Sequence, residues 1–187
     1  MDTIVYLKSM IRDKNVASIT PTSSFGIEKV CSKIDFSKRN VIVEYGPGTG
    51  VFSKYILDHM TSDSKLILIE RNEDFISILN QSFQDPRLIL YHDSAENVEA
   101  LLQRSGEKKA DYVISGIPFS FLPSKLRDLV VERSYACLRD GGKFLAYQTF
   151  YQLDRFLKVY LNKYFNLVYT SYCLRNAPPL RIFEAVK

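Results

Sequence analysis

The stretch Glu44-Tyr45-Gly46-Pro47-Gly48-Thr49-Gly50 closes the β-branched run Val41–Tyr45 and opens a stretch of helical spacing, Val51–Met60. Glycines at 46, 48 and 50 let a backbone turn sharply and approach a ligand closely. A helix that starts at such a turn aims its first amides at that ligand. The spacing differs from the G-x-G-x-x-G of dinucleotide-binding loops.

Outward from this stretch, apolar runs alternate with helical patterns. Leu66–Glu70, Leu88–Tyr91, Tyr112–Ser115 and Lys143–Gln148 read as strands, and Glu73–Phe83, Ala95–Gln103 and Ser124–Leu138 as the helices between them. Strands separated by helices of this length imply βαβ units, a parallel sheet and right-handed crossovers. The end of the chain changes pattern. After a helix at about 153–161, the runs Phe165–Leu174 and Arg181–Val186 are joined only by Arg175-Asn176-Ala177-Pro178-Pro179, which predicts an antiparallel hairpin at the sheet edge. Before the sheet, residues 3–14 read as a short amphipathic helix and Ile27–Ile34 as a second. Residues 1–187 are expected to form a single domain, with the helices of 1–35 serving as a lid or a membrane contact.

Composition narrows the function classes. Of the 187 residues, 46% are hydrophobic and 25% charged, which suits a folded soluble protein. No apolar run reaches the roughly 20 residues that span a bilayer, and no signal peptide is expected. Three separated cysteines and two histidines predict reduced thiols in the cytoplasm and no metal site. The net charge of +4 is too small to mark a nucleic-acid binder by itself. Residues 1–40 nevertheless hold seven Lys and Arg against four Asp and Glu, which suits either an anionic surface or ordinary solvation.

Glu44–Gly50 resembles the E/D-x-G-x-G-x-G loop of class I methyltransferases, which use S-adenosylmethionine (SAM). That resemblance implies a Rossmann-like α/β fold with a seven-stranded, mostly parallel sheet and the antiparallel hairpin at its end. It places Glu44 near the cationic methionyl end of SAM and the backbone of Gly46, Gly48 and Gly50 beside the amino acid and ribose. Glu70, 20 residues after Gly50, ends its strand, where two carboxylate oxygens can accept both ribose hydroxyls. A surface ion pair with Arg71 is the alternative. In His92-Asp93-Ser94-Ala95, Asp93 resembles the residue that bonds the adenine amino group, and a helix cap is a compatible role.

The fourth strand runs into Ser115-Gly116-Ile117-Pro118-Phe119. Methyltransferases of base amines carry Asn or Asp at the place of Gly116, to hold the exocyclic amine. Its absence counts against the ribosomal RNA adenine dimethylases, whose cofactor loop is otherwise similar. The chain looks more like the bacterial phospholipid N-methyltransferases. Four stretches carry that resemblance: Ile19–Ser24, Glu44–Gly50, Ser115–Pro118 and Arg175-Asn176-Ala177-Pro178-Pro179. That family's Q-x-x-Y appears as Gln148-Thr149-Phe150-Tyr151, but the Gly-Pro that commonly follows is Gln152-Leu153 here.

The resemblance implies N-methylation of an amine lipid headgroup such as phosphatidylethanolamine, with peripheral contact at the inner membrane face. Ser115 would join the cofactor site. An alkyl ammonium must lose a proton before it attacks, and a tyrosine hydroxyl or water can help. Among Tyr45, Tyr147 and Tyr151, the acceptor-site roles are assigned to Tyr151 and Tyr45. Arg175 offers a fork for a phosphodiester, and Asn176 an amide. Methylation of ribosomal RNA adenine or of a small soluble amine, and SAM binding without catalysis, remain the alternatives.

Overall fold

The computed structural model describes residues 22–150 and 152–187. The expected helix over residues 3–14 lies outside them.

Seven strands form one sheet: β1 (Val41–Tyr45), β2 (Lys65–Glu70), β3 (Leu88–His92), β4 (Ala110–Ser115), β5 (Leu138–Thr149), β6 (Leu167–Cys173) and β7 (Leu180–Val186). Their order is β3-β2-β1-β4-β5-β7-β6. The first five run parallel, and β7 lies antiparallel to both β5 and β6. The Rossmann-like architecture and the terminal hairpin match the sequence reading. Strand β5 begins five residues earlier than its apolar run, because its first part pairs through a shifted register near Ala110.

Among the described residues, six helices cover the two faces: α1 (Ser24–Cys31), α2 (Val51–His59), α3 (Glu73–Ser82), α4 (Val98–Arg104), α5 (Ser124–Cys137) and α6 (Lys158–Tyr164). Alternate side chains of a strand point to opposite faces, so β1 feeds two cores. Val41, Val43 and Tyr45 pack with α4, α5 and α6 through Leu102, Val131 and Leu161. Ile42 packs with α1, α2 and α3 through Val30, Ile56 and Leu79. Lys33 and Lys143 both pair with Glu184, which ties the segment after α1 to β5 and β7.

Helix α1 starts earlier than the apolar spacing suggests. Ser23 accepts a hydrogen bond from the Gly26 amide and caps it. The sixth helix is shorter than expected, with a 3-10 turn at Asp154–Phe156 before it.

At the head of α2, Gly50 has φ +81°, and a Cβ there would stand 2.5 Å from the Phe83 ring and 2.9 Å from Leu79. Its missing side chain lets the βα turn pack against α3. Gly50→Ala is expected to destabilise the protein by about 2–4 kcal/mol, from left-handed backbone plus overpacking. Gly48 has φ +57° with nothing within 4 Å of its missing Cβ, so Gly48→Ala should cost only about 1–2 kcal/mol. Urea midpoints measure both, and equal losses would overturn the packing role of Phe83.

Candidate active site

Strand order reverses at β1, whose neighbours are β2 and β4. Open α/β sheets bind ligands outside the carboxyl ends of strands at such a point. Backbone hydrogen bonds carry the ladder just past the strands there: Gly46 N to Ile69 O at 2.9 Å, Asp93 N to Glu70 O at 3.0 Å and Gly116 N to Tyr45 O at 3.0 Å. Glu44, Glu70, Asp93 and the Gly46–Gly50 turn therefore share one edge of the sheet.

Glu44 is fully buried on the face shared with α2. Its Oε2 accepts from Ser53 Oγ at 2.7 Å, while Oε1 has no partner among the described residues. Burial pushes its carboxyl up to about 7, against the pull of the Ser53 hydrogen bond, and the charge of Glu70 raises it further. A buried carboxylate with an unsatisfied oxygen fits a cationic ligand group.

Glu70 is buried at the end of β2. Its Oε1 accepts from the amides of Arg71 and Asn72 at 2.8 and 2.9 Å, and its Oε2 from the Gly48 amide at 3.2 Å. The carboxylate thus holds the glycine turn and the entry to α3 together. The bond to Arg71 runs through the backbone amide.

Asp93 accepts from Ser94 N and Asn97 Nδ2, both at 2.7 Å and both through Oδ1. These two bonds, led by that of Asn97, hold its carboxyl below the usual range. Ser115 is fully buried, and its Oγ accepts from Ile117 N at 3.4 Å, shaping the turn after β4. Gly46 lies against that turn, with Ile117 Cγ1 3.4 Å from its missing Cβ.

Two of the assigned roles are not met. Tyr45 points into the opposite core, fully buried, with its hydroxyl against Ser134 Oγ at 3.1 Å. Burial raises its hydroxyl far above the ordinary value. The pleat puts neighbours 44 and 45 on opposite faces, so the one beside the turn's open side is Glu44. Asn176 is also buried, and its amide serves the fold. Its Oδ1 accepts from Ser23 N at 2.7 Å, and its Nδ2 donates to Pro178 O at 2.7 Å. Those bonds dock the 175–179 loop on the start of α1. Tyr151 lies outside the described residues.

Arg175 is exposed beside that anchored loop, its guanidinium 5.1 Å from the Phe25 ring. The loop joins the ends of β6 and β7 that lie next to the carboxyl end of β5, and Phe150 N donates to Pro179 O at 3.0 Å. Arg175 therefore stands at the same edge as the cofactor loop, farther along it. Two residues that the sequence did not single out support this edge. Ser53 fixes Glu44. Arg181 pairs with Asp154 and donates to the carbonyls of Gln152 at 2.8 Å and Phe150 at 3.2 Å, fastening the segment after β5. No local motif marks either residue, since each acts on a partner many positions away.

This fold, with its glycine turn at the switch point, is that of a class I SAM-dependent methyltransferase. The family model for ribosomal RNA adenine dimethylase matches residues 22–119, and the chain belongs to that family. The family given the more distant resemblance in the sequence reading is thus the one shown, despite Gly116. The chain is 27% identical to an ornithine lipid N-methyltransferase of Singulisphaera acidiphila, over 88% of this chain and 84% of that one. It is 30% identical to ribosomal RNA small subunit methyltransferase A of Blochmanniella pennsylvanica, over 62% of this chain and 43% of that one. Among solved structures, the precorrin-6y C5,15-methyltransferase of Geobacter metallireducens superposes with a TM-score of 0.72 at 14% identity, covering 94% of this chain and 96% of that one.

The residues present fit SAM: the unsatisfied oxygen of Glu44 suits its cationic end, and the open side of Gly48 gives its body room. Because the Glu44 carboxyl is raised, the folded chain holds its proton more tightly than the unfolded chain does. Stability without cofactor should therefore fall as pH rises from about 4.5 to about 7. Binding of a cation needs the carboxylate, so SAM affinity should rise from about pH 5.5 to about 7 and Glu44→Gln should abolish that rise. Calorimetric titration checks this, and an unchanged slope in Glu44→Gln would remove Glu44 from the site.

Proposed function

We propose that the chain N-methylates an amine-bearing lipid headgroup, with ornithine lipid and phosphatidylethanolamine as the chemical types. The observation that carries this reading is the surface of the acceptor edge. Phe25, Phe121, Phe150 and Leu153 are each about half exposed there, and Leu174 is 78% exposed. Large apolar side chains gathered on one rim suit contact with another apolar body. Ser120 Oγ bonds Gln152 Oε1 at 3.3 Å and brings the Phe121 turn to the segment that carries Phe150 and Leu153. Arg175 adds a cation to the rim, where an anionic headgroup group, phosphate or carboxylate, would meet it.

Further support comes from the ornithine lipid N-methyltransferase relative, whose likeness spans most of both chains. Among the described residues no helix is long and apolar enough to cross a membrane, so contact with lipid would be peripheral. Tyr151, just beyond the rim residue Phe150, remains a proposed acceptor-site residue on the Q-x-x-Y resemblance.

SAM supplies an electrophilic methyl group on a sulfonium. The chain's residues supply orientation: Glu44, Gly46, Gly48, Glu70 and Asp93 would hold the cofactor in the switch-point crevice, and Ser115 and Gly50 would shape its turns. The amine must arrive unprotonated and in line, which proximity and orientation accomplish.

Transfer of label from SAM to vesicles of ornithine lipid or phosphatidylethanolamine, with small-subunit ribosomal RNA and free ornithine as parallel acceptors, tests the reading. Label in the lipid is expected, and label confined to RNA or free ornithine would overturn it. Arg175→Ala should leave SAM affinity unchanged and lower turnover on vesicles by about tenfold. Full turnover by that variant would remove the headgroup contact.

A further inference from the structure

Base-amine methyltransferases place an Asn or Asp after the fourth strand to orient the acceptor nitrogen, and this chain has Gly116 there. The structure shows what fills the space. A Cβ built on Gly116 would stand 2.5 Å from the Tyr147 hydroxyl oxygen, 3.0 Å from its Cζ and 3.2 Å from the Gly46 carbonyl oxygen. The hydroxyl of a β5 residue thus reaches the point at which a side chain from the β4 turn would begin. That point borders the cofactor loop, because Gly116 is bonded to the carbonyl of Tyr45 and Gly46 follows directly.

Tyr147 is held there by more than its backbone. Its ring stacks on Phe52 of α2, with centroids 4.2 Å apart and planes 18° from parallel. It lies on the same face of the sheet as Glu44, and it is half-buried against the core of that face. Stacking of this kind restricts the ring, and a group that orients a nucleophile must be held by its neighbours.

We propose that the Tyr147 hydroxyl is the group that orients the acceptor nitrogen in this chain, made possible by the absence of a side chain at Gly116. A phenol oxygen accepts an N–H hydrogen bond from the amine while its own proton goes to another acceptor. The Gly46 carbonyl, beside the same point, offers a second acceptor. Held by these oxygens, the nitrogen directs its lone pair at the methyl carbon. The N–C bond forms as the C–S bond breaks, the electron pair stays on sulfur, and the ammonium product sheds its proton to water. One hydroxyl on a rigid ring replaces one carboxamide on a turn, so the orienting group has moved from β4 to β5. The proposal deepens the N-methyltransferase reading and applies to a lipid amine if that acceptor is correct.

The test separates this role from the identity of the acceptor. Sinefungin, an analogue of SAM in which an amine-bearing carbon replaces the methylsulfonium, presents N–H donors at the reacting position. S-adenosylhomocysteine presents none. Tyr147→Phe keeps the stack on Phe52 and removes only the oxygen, and its urea midpoint reports whether the fold is kept. The variant should bind sinefungin about tenfold or more weakly and S-adenosylhomocysteine unchanged. Gly116→Ala, which pushes the hydroxyl from its place, should show the same selective loss. Equal losses for both ligands in a folded Tyr147→Phe, or no loss for either, would overturn the proposal. In the vesicle assay, Tyr147→Phe should lower kcat more than it raises KM. A selective loss of sinefungin together with unlabelled lipid would refute the lipid acceptor while leaving Tyr147 in place.

Discussion

The 3.0 Å hydrogen bond from the Gly116 amide to the Tyr45 carbonyl joins β1 to β4 at the point where the order of strands reverses. The two chain segments diverge just beyond it, one into the glycine turn and the other into the turn over Phe119. The helices that follow the two strands pack on opposite faces of the sheet, the arrangement at which open α/β sheets bind ligands. The glycine turn, the carboxylates and the acceptor rim are all placed relative to that divergence.

Inside the crevice the governing constraint is desolvation. Glu44 costs the fold free energy, since a fully buried carboxylate with one oxygen unsatisfied has lost water without full replacement. Glu70 differs because three backbone amides satisfy it. Two acids at neighbouring strand ends therefore do different work. Glu70 builds the turn that shapes the site, and Glu44 keeps a charge-seeking oxygen in a dry place. A structure optimised for stability alone would not keep Glu44 in this state, and a cationic ligand gives it a physical reason.

The acceptor side is assembled by long-range bonds. Asn176 reaches back to Ser23, and Arg181 grips the carbonyls of Phe150 and Gln152, so two loops and the start of α1 become one rim. Its cation and its exposed aromatic residues come from four separate parts of the chain. Membership of the ribosomal RNA adenine dimethylase family therefore says more about the cofactor half, where the family model matches residues 22–119, than about this rim, most of which lies beyond them.

The sequence by itself determined the sheet, the direction of its strands and the cofactor turn. Period-two and helical spacing are local, and they put Glu70 at the last residue of a strand and Glu44 and Asp93 within one residue of a strand's end. It also placed the terminal hairpin, since a loop too short for a crossover leaves only antiparallel pairing. Tertiary structure alone decided which core each side chain enters. Tyr45 and Glu44 are neighbours in sequence, yet the pleat and the two cores send one to Ser134 and the other to Ser53. Asn176 reads as a ligand residue in its motif, and only packing against α1 reveals that its amide is spent on the fold. Tyr147 is one of three tyrosines that the sequence offers for the acceptor side, and no spacing ranks it above Tyr45 or Tyr151. Its hydroxyl meets Gly116 because β4 and β5 are adjacent and a missing Cβ leaves room, a relation between residues 31 positions apart that exists only once the sheet has formed.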